Sequence, residues 1–261
     1  TGYDMVLDVN ASYTTVEGIQ IKGAAAPTMA FRLAATGSNA GADKIIKDCI
    51  AYGKSSSATR VGWLTRATHK AINCLVVDDT GAAGRGLALE SGAQAINCTV
   101  VRPSNYAVAG RGASAVYGTA QVKNCAFFGF NTDSSGTFAA DGHNATDHTS
   151  APGSTANLTG LVYADQFVNP DTSLGLEDFR PKRGASLFGK GVADLTNVPG
   201  ATDIAGNPRE AATWDIGAYE APTFVMTKSI GTAGRDYSTL QAWEDALPAN
   251  LPPLNEKWVG E

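Results

Sequence analysis

A six-residue block recurs along the first half of the chain. It reads Ile46-Lys47-Asp48-Cys49-Ile50-Ala51, Ala71-Ile72-Asn73-Cys74-Leu75-Val76, Ala95-Ile96-Asn97-Cys98-Thr99-Val100 and Val122-Lys123-Asn124-Cys125-Ala126-Phe127, with Val16-Glu17-Gly18-Ile19-Gln20-Ile21 as an earlier copy. Its cysteines, Cys49, Cys74, Cys98 and Cys125, are nearly evenly spaced. A near-constant period of this size marks a solenoid, in which each repeat packs on its neighbours.

The columns of the repeat explain one another. Gly18, Asp48, Asn73, Asn97 and Asn124 are residue types that tolerate the left-handed backbone region, which a one-residue bend between short strands requires. Side chains alternate across a strand. Two before the bend stand Val16, Ile46, Ala71, Ala95 and Val122. Next after it come Ile19, Cys49, Cys74, Cys98 and Cys125, and three after it Ile21, Ala51, Val76, Val100 and Phe127. These columns suit an interior. The position two after the bend mixes Gln20, Thr99 and Ala126 with Ile50 and Leu75, so it reads outward less clearly. The sequence therefore predicts an all-β, right-handed parallel β-helix over residues 1 to about 150. Asp48, Asn73, Asn97 and Asn124 would form a stacked amide ladder. Cys49, Cys74, Cys98 and Cys125 would form an interior ladder of small apolar groups. Disulfides and a metal site are the alternatives. A zinc site would want close pairs such as C-x-x-C, which the spacing lacks.

Arg60, Arg85 and Arg111 each precede a bend by about half a period. They predict a row of positive charge at coil spacing. That row is either a solvated, acid-paired surface or a site for an acidic glycan or a partner carboxylate.

Composition fits such a coil. The 261 residues include 29 Gly, and charged residues make up 17%, against about 25% in ordinary domains. Lys+Arg 20 against Asp+Glu 25 gives a net charge of -5. Dispersed basic residues argue against nucleic-acid binding. No apolar run approaches the roughly 18 residues of a transmembrane helix, which argues against membrane insertion. No signal peptide is visible, and the start at Thr1 reads as a processed, excised or partial chain.

The period fades after Phe130, and residues 131–173, rich in Ser, Thr, Gly, Asp and Asn, predict mostly loop. His143 and His148 bracket Asp147 without the companions a metal site needs. His69 reads as surface or turn. Asp78-Asp79 is the one adjacent acidic pair within the repeats, and no acids match it one period away. No metal, cofactor or catalytic residue is expected.

Several segments resemble the closing region of secreted and phage-borne right-handed β-helix proteins. They are Gly142-His143-Asn144-Ala145-Thr146-Asp147, Asp178-Phe179-Arg180-Pro181-Lys182, Gly184-Ala185-Ser186-Leu187-Phe188, Thr202-Asp203-Ile204-Ala205-Gly206-Asn207-Pro208-Arg209 and Trp214-Asp215-Ile216-Gly217-Ala218-Tyr219-Glu220. The family commonly has Asp where this chain has Gly189. With the repeats, the resemblance covers roughly residues 10 to 220. It implies a cap region over residues 151–220. Residues 221–261 then read as a linker and the opening helix of a following unit. Ser238 would cap that helix and Leu240 and Trp243 would form its apolar face, resembling the short helix that plugs the first coil in the same family.

The resemblance implies a structural or adhesive module on an extracellular particle. Such a particle could be a phage tail, fibre or decoration protein, with subunits, other virion or cell-surface proteins, or glycans as partners. Leu240 and Trp243 are assembly candidates for head-to-tail joining. A carbohydrate-active enzyme similar to pectate lyases or tailspike depolymerases, and a non-catalytic glycan-binding surface using Tyr106, Tyr117 or the arginines, are the alternatives.

Overall fold

The chain turns through one residue at each repeat. Gly18, Asp48, Asn73, Asn97 and Asn124 have φ of 69°, 51°, 50°, 51° and 54°. Strands flank each bend, so every repeat closes into a coil. The structure is a computed structural model that describes residues 4–23, 28–33, 43–54, 60–78, 84–103, 114–130, 132–138, 142–221 (apart from 154, 174, 183 and 212), 224–228 and 256–260.

The first coil contains β1 (Asp4–Val9), β2 (Thr14–Glu17) and β3 (Gln20–Lys22). The second contains β4 (Thr28–Leu33), β5 (Lys44–Lys47) and β6 (Ile50–Gly53), and the third β7 (Arg60–Leu64), β8 (His69–Ile72) and β9 (Leu75–Asp78). In the fourth and fifth the first two strands fuse, giving β10 (Arg85–Ile96) with β11 (Thr99–Val101), then β12 (Ser114–Lys123) with β13 (Ala126–Phe128). The sixth has β14 (Thr132–Phe138) and β15 (Ala145–Thr146).

Equivalent strands pair in parallel. One wall is the sheet β3-β6-β9-β11-β13-β15. The other sheet carries the rows β1-β4-β7 and β2-β5-β8, which both join β10, and β12 and β14 follow. Parallel crossovers within one sheet take the right-handed sense, so the first unit is a right-handed parallel β-helix.

The interior columns fill the coil. Ile46, Cys49, Ala51, Ala71, Cys74, Val76, Ala95, Cys98, Val100, Val122, Cys125 and Phe127 belong to one buried cluster, with Phe31, Leu33, Leu64, Leu87 and Leu89. Gly62 makes room for a large neighbour: a Cβ there would lie 2.4 Å from the Phe31 ring and 2.8 Å from Leu87.

Residues 131–173 are mostly loop, as expected, but the coil continues through them in a shortened form. Register runs from Thr99 to Ala126, from Ala126 to Ala145 and from Ala145 to Leu158, each step shorter than the one before. The bend places are taken by His143 (φ 58°) and Ala156 (φ 47°), and alanine gives no bend signal. Asn144 and Asn157 occupy the place that cysteine held. The Asn144 side chain accepts from Cys125 N at 2.8 Å and donates to Val122 O and Pro152 O, while its own backbone N–H donates to Asn157 Oδ1. The shrinking coils thus end on amide side chains that satisfy backbone groups.

Residues 163–220 then run along the flank of the helix. After a 3-10 turn at Tyr163–Asp165, β16 (Phe167–Asn169) pairs antiparallel with β17 (Asp178–Pro181). Phe167, Phe179, Leu187 and Ile216 cover Tyr52, Leu75, Val77, Val101 and Phe128 on the outside of the second sheet. This explains the mixed column two after the bend. Leu75, Thr99 and Ala126 do face outward, but beneath a second layer. Gln20 lies on the uncovered first coil and is exposed. Trp214 and Val198 cover Ile72 and Ile96 in the same way.

The chain divides into two compact units, Thr1–Glu220 and Ala221–Glu261. The second contains β18 (Phe224–Lys228) paired in parallel with β19 (Glu256–Gly260), Phe224 opposite Glu256. That step along the chain is similar to the one from Phe31 to Gly62, the longest in the first unit. Ser238, Leu240 and Trp243 lie outside the described residues. Among the described residues no helix is long and apolar enough to cross a membrane.

Candidate functional site

The amide ladder is continuous and has a direction. Asn124 Nδ2 donates to Asn97 Oδ1 at 2.9 Å, Asn97 Nδ2 to Asn73 Oδ1 at 3.2 Å, and Asn73 Nδ2 to Asp48 Oδ1 at 2.9 Å. An ionised carboxylate only accepts, so Asp48 fixes every amide in the same sense. Lys47 bridges Asp48 and Glu17 at 3.1 and 2.8 Å and extends the line to the first coil.

The closing motifs dock on this ladder. Val192 exchanges hydrogen bonds with the Asn124 side chain at 2.9 and 2.7 Å. Asn73 donates to Thr202 O at 2.8 Å and accepts from Arg209 at 3.3 Å. Asp203 accepts from the N–H groups of Ala205, Asn207 and Glu220. Gly189 has φ 57° and donates to Asp215 Oδ1 at 2.7 Å, so Asp215 braces this turn. Arg209 is buried, bonded to Glu220 at 2.8 Å and 5.3 Å from the Trp214 ring. Burial and the Asp215 charge push the Glu220 carboxyl up to about 7, against the Arg209 guanidinium.

The four cysteines are buried and unbridged. Cys49, Cys74 and Cys98 point Sγ at carbonyls of the preceding coil, Val16 O, Ile46 O and Ala71 O, at 3.7, 3.5 and 3.4 Å. Burial pushes the Cys49, Cys74 and Cys125 thiols up. Thiols in that state are poor nucleophiles and metal ligands.

Arg60 and Arg85 are register partners on β7 and β10. Arg60 meets Glu90 at 3.4 Å and lies 4.1 Å from the Trp63 ring. Arg32 approaches the same ring at 5.7 Å and pairs with Asp8. Arg85 is half-buried. Arg111 and Tyr106 lie outside the described residues, and Tyr117 falls in β12.

Two sequence readings are revised by burial. Asp78 is fully buried and paired with Arg102 at 2.5 Å, which itself sits 4.8 Å from the Phe130 ring. A carboxylate held there is a structural ion pair. Its neighbour Asp79 lies outside the described residues. His69 is buried rather than on the surface. It opens β8 opposite the buried Lys44, and its Nδ1 accepts from Thr65 N at 3.3 Å. Burial, helped by the Lys44 charge, lowers its pKa to about 4.

His148 Nε2 meets Phe130 O at 2.5 Å and lies 4.0 Å from Asp147. Among the described residues no three His, Cys, Asp or Glu side chains gather as a metal site.

One cavity of about 300 Å³, for which no motif prepared, lies between the outer face of β10 and β12 and the 194–197 turn of the flank. Gln94, Ala95, Ile96, Gln121, Lys123, Asp194, Thr196 and Asn197 line it. Lys123 meets Asp194 at 3.1 Å. Lys70, on the same row as Gln94 and Gln121, donates to Asn197 Oδ1 at 2.8 Å. Although burial opposes it, the bonds from Asn197 and Lys123 hold Asp194 below the usual carboxylate range. Only the fold brings residues 70, 94, 121 and 194–197 together.

No protein-family model and no curated protein sequence matches the chain. Among solved structures, the crystal structure of pectate lyase Pel9A superposes with a TM-score of 0.44 and 15% identity, over 83% of this chain and 69% of that one.

Proposed function

We propose that this chain is a structural, adhesive β-helix module of an extracellular particle, of the kind carried on phage virions and cell surfaces. Its copies join head to tail, and its partners are other subunits and surface proteins. The observation that carries the reading is the edge of the first coil, on which no described strand pairs. Ile19 is 39% exposed, although it belongs to the column in which Cys49, Cys98 and Cys125 are 0% exposed. Among the described residues, β1, β2 and β3 each pair on one edge only. An uncovered parallel edge with an apolar interior behind it invites strand addition. The far end of the coil shrinks and closes, so the two ends differ, and a contact between unlike ends propagates rather than closes.

The occupant best matched to that edge is the β18–β19 pair of another copy. It is parallel, it has a coil-sized step, and among the described residues each strand pairs on one edge only. Leu240 and Trp243 lie between those strands in sequence and are the side chains proposed to plug the coil. Sedimentation over a range of concentrations tests this. The intact chain is expected to form growing species. Ile19→Lys, at an exposed position, and deletion of residues 225–261 should each leave monomers. Assembly unchanged in both variants would overturn the reading.

A further inference from the structure

We propose that the flank cavity binds one neutral saccharide residue, with Gln94 and Gln121 as its principal contacts. This proposal stands independently of head-to-tail assembly.

Gln94 and Gln121 are register partners on adjacent coils. Their side chains project from the same row, about 4.8 Å apart. No side chain or backbone group among the described residues takes up either amide. The asparagine amides that face the flank are engaged: Asn73 and Asn124 by the closing motifs, and Asn197 by Lys70 and Asp194. Two uncommitted amides, each offering a donor pair and an acceptor, suit hydroxyl groups that both donate and accept. Their spacing matches hydroxyls on alternate ring carbons better than adjacent ones.

The remaining lining argues for a neutral ligand. The Lys123 ammonium is taken up by Asp194, and Lys70 by Asn197. An acidic sugar would face the ionised Asp194, and the one cation of the lining, Lys123, is already paired with it; Lys70, bonded to the neutral Asn197, lies outside the lining. Ile96, which faces outward between the two glutamine coils and the flank, gives an apolar floor that suits the C–H face of a pyranose. Thr196 adds one hydroxyl on the opposite wall. A volume of about 300 Å³ is at the small end of ligand sites, which fits a single ring of a longer glycan.

Saturation-transfer NMR on the full chain tests the proposal. The probes are glucose, galactose, mannose, N-acetylglucosamine and their short oligomers, with oligogalacturonate as the acidic contrast. At least one neutral sugar should bind. Gln94→Ala with Gln121→Ala should weaken it at least tenfold, whereas Lys22→Ala, at an exposed position on the other sheet, should leave it unchanged. Both glutamines are at least partly exposed, so the variants should fold, and circular dichroism checks that they do. Binding of no neutral sugar, binding of oligogalacturonate alone, or binding insensitive to the double substitution would each overturn it.

Discussion

Asn97 shows how much one residue carries in this fold. It holds φ 51° and both donates and accepts along the ladder. Asn97→Ala removes two buried side-chain hydrogen bonds, and alanine adopts the left-handed bend at a further cost of about 1–2 kcal/mol. The expected loss is about 2–4 kcal/mol, read from the urea midpoint. Asn97→Gly keeps the backbone comfortable and should lose about half as much. Equal losses in the two variants would show that the bend is not strained for alanine. The same conformational demand made the bends readable in the sequence, because Gly, Asn and Asp cluster where the left-handed region is needed. Ala156 makes the same bend with a residue type that carries no such signal, so the last and shortest coil, beyond residue 150, was hidden.

At the scale of elements, periodicity revealed the coils that repeat and missed the layer that covers them. The flank from Tyr163 to Glu220 has no period of its own. Its shape follows from the outward apolar residues Leu75, Val101 and Phe128, which come from three coils. The flank cavity was illegible for the same reason: Lys70, Gln94 and Gln121 form a row only once register is known. Two buried groups make these elements sensitive to pH in opposite senses. His69 falls from an ordinary 6.5 to about 4 on folding. The unfolded chain therefore takes up the proton first, and stability is lost as pH drops from 6.5 toward 4, by up to about 3 kcal/mol. The urea midpoint should be lower at pH 4.5 than at pH 7, and His69→Gln should narrow that gap. Glu220 rises from 4.5 to about 7. Its contribution is full below pH 4.5 and is lost as pH rises through 7. Hydrogen exchange of the Asp203–Glu220 segment should therefore quicken between pH 5 and pH 8, after correction for intrinsic rates, and Glu220→Gln should abolish the change. An unchanged profile in that variant would place the titration elsewhere.

At the scale of the molecule, the first unit is a solenoid with unlike ends. One end narrows as the register steps shorten from Thr99 through Ala126 and Ala145 to Leu158, and it closes on Asn144 and Asn157. At the other, Ile19 is exposed, and among the described residues β1, β2 and β3 pair on one edge only. With the flank covered, the proposed head-to-tail joining would extend the solenoid along its axis rather than sideways. Electron microscopy of the purified chain at increasing concentration tests this most directly. Unbranched filaments whose cross-β repeat of about 4.8 Å runs along the filament axis are expected, and they should disappear in Ile19→Lys. Single particles at every concentration, or filaments with strands parallel to the axis, would contradict it.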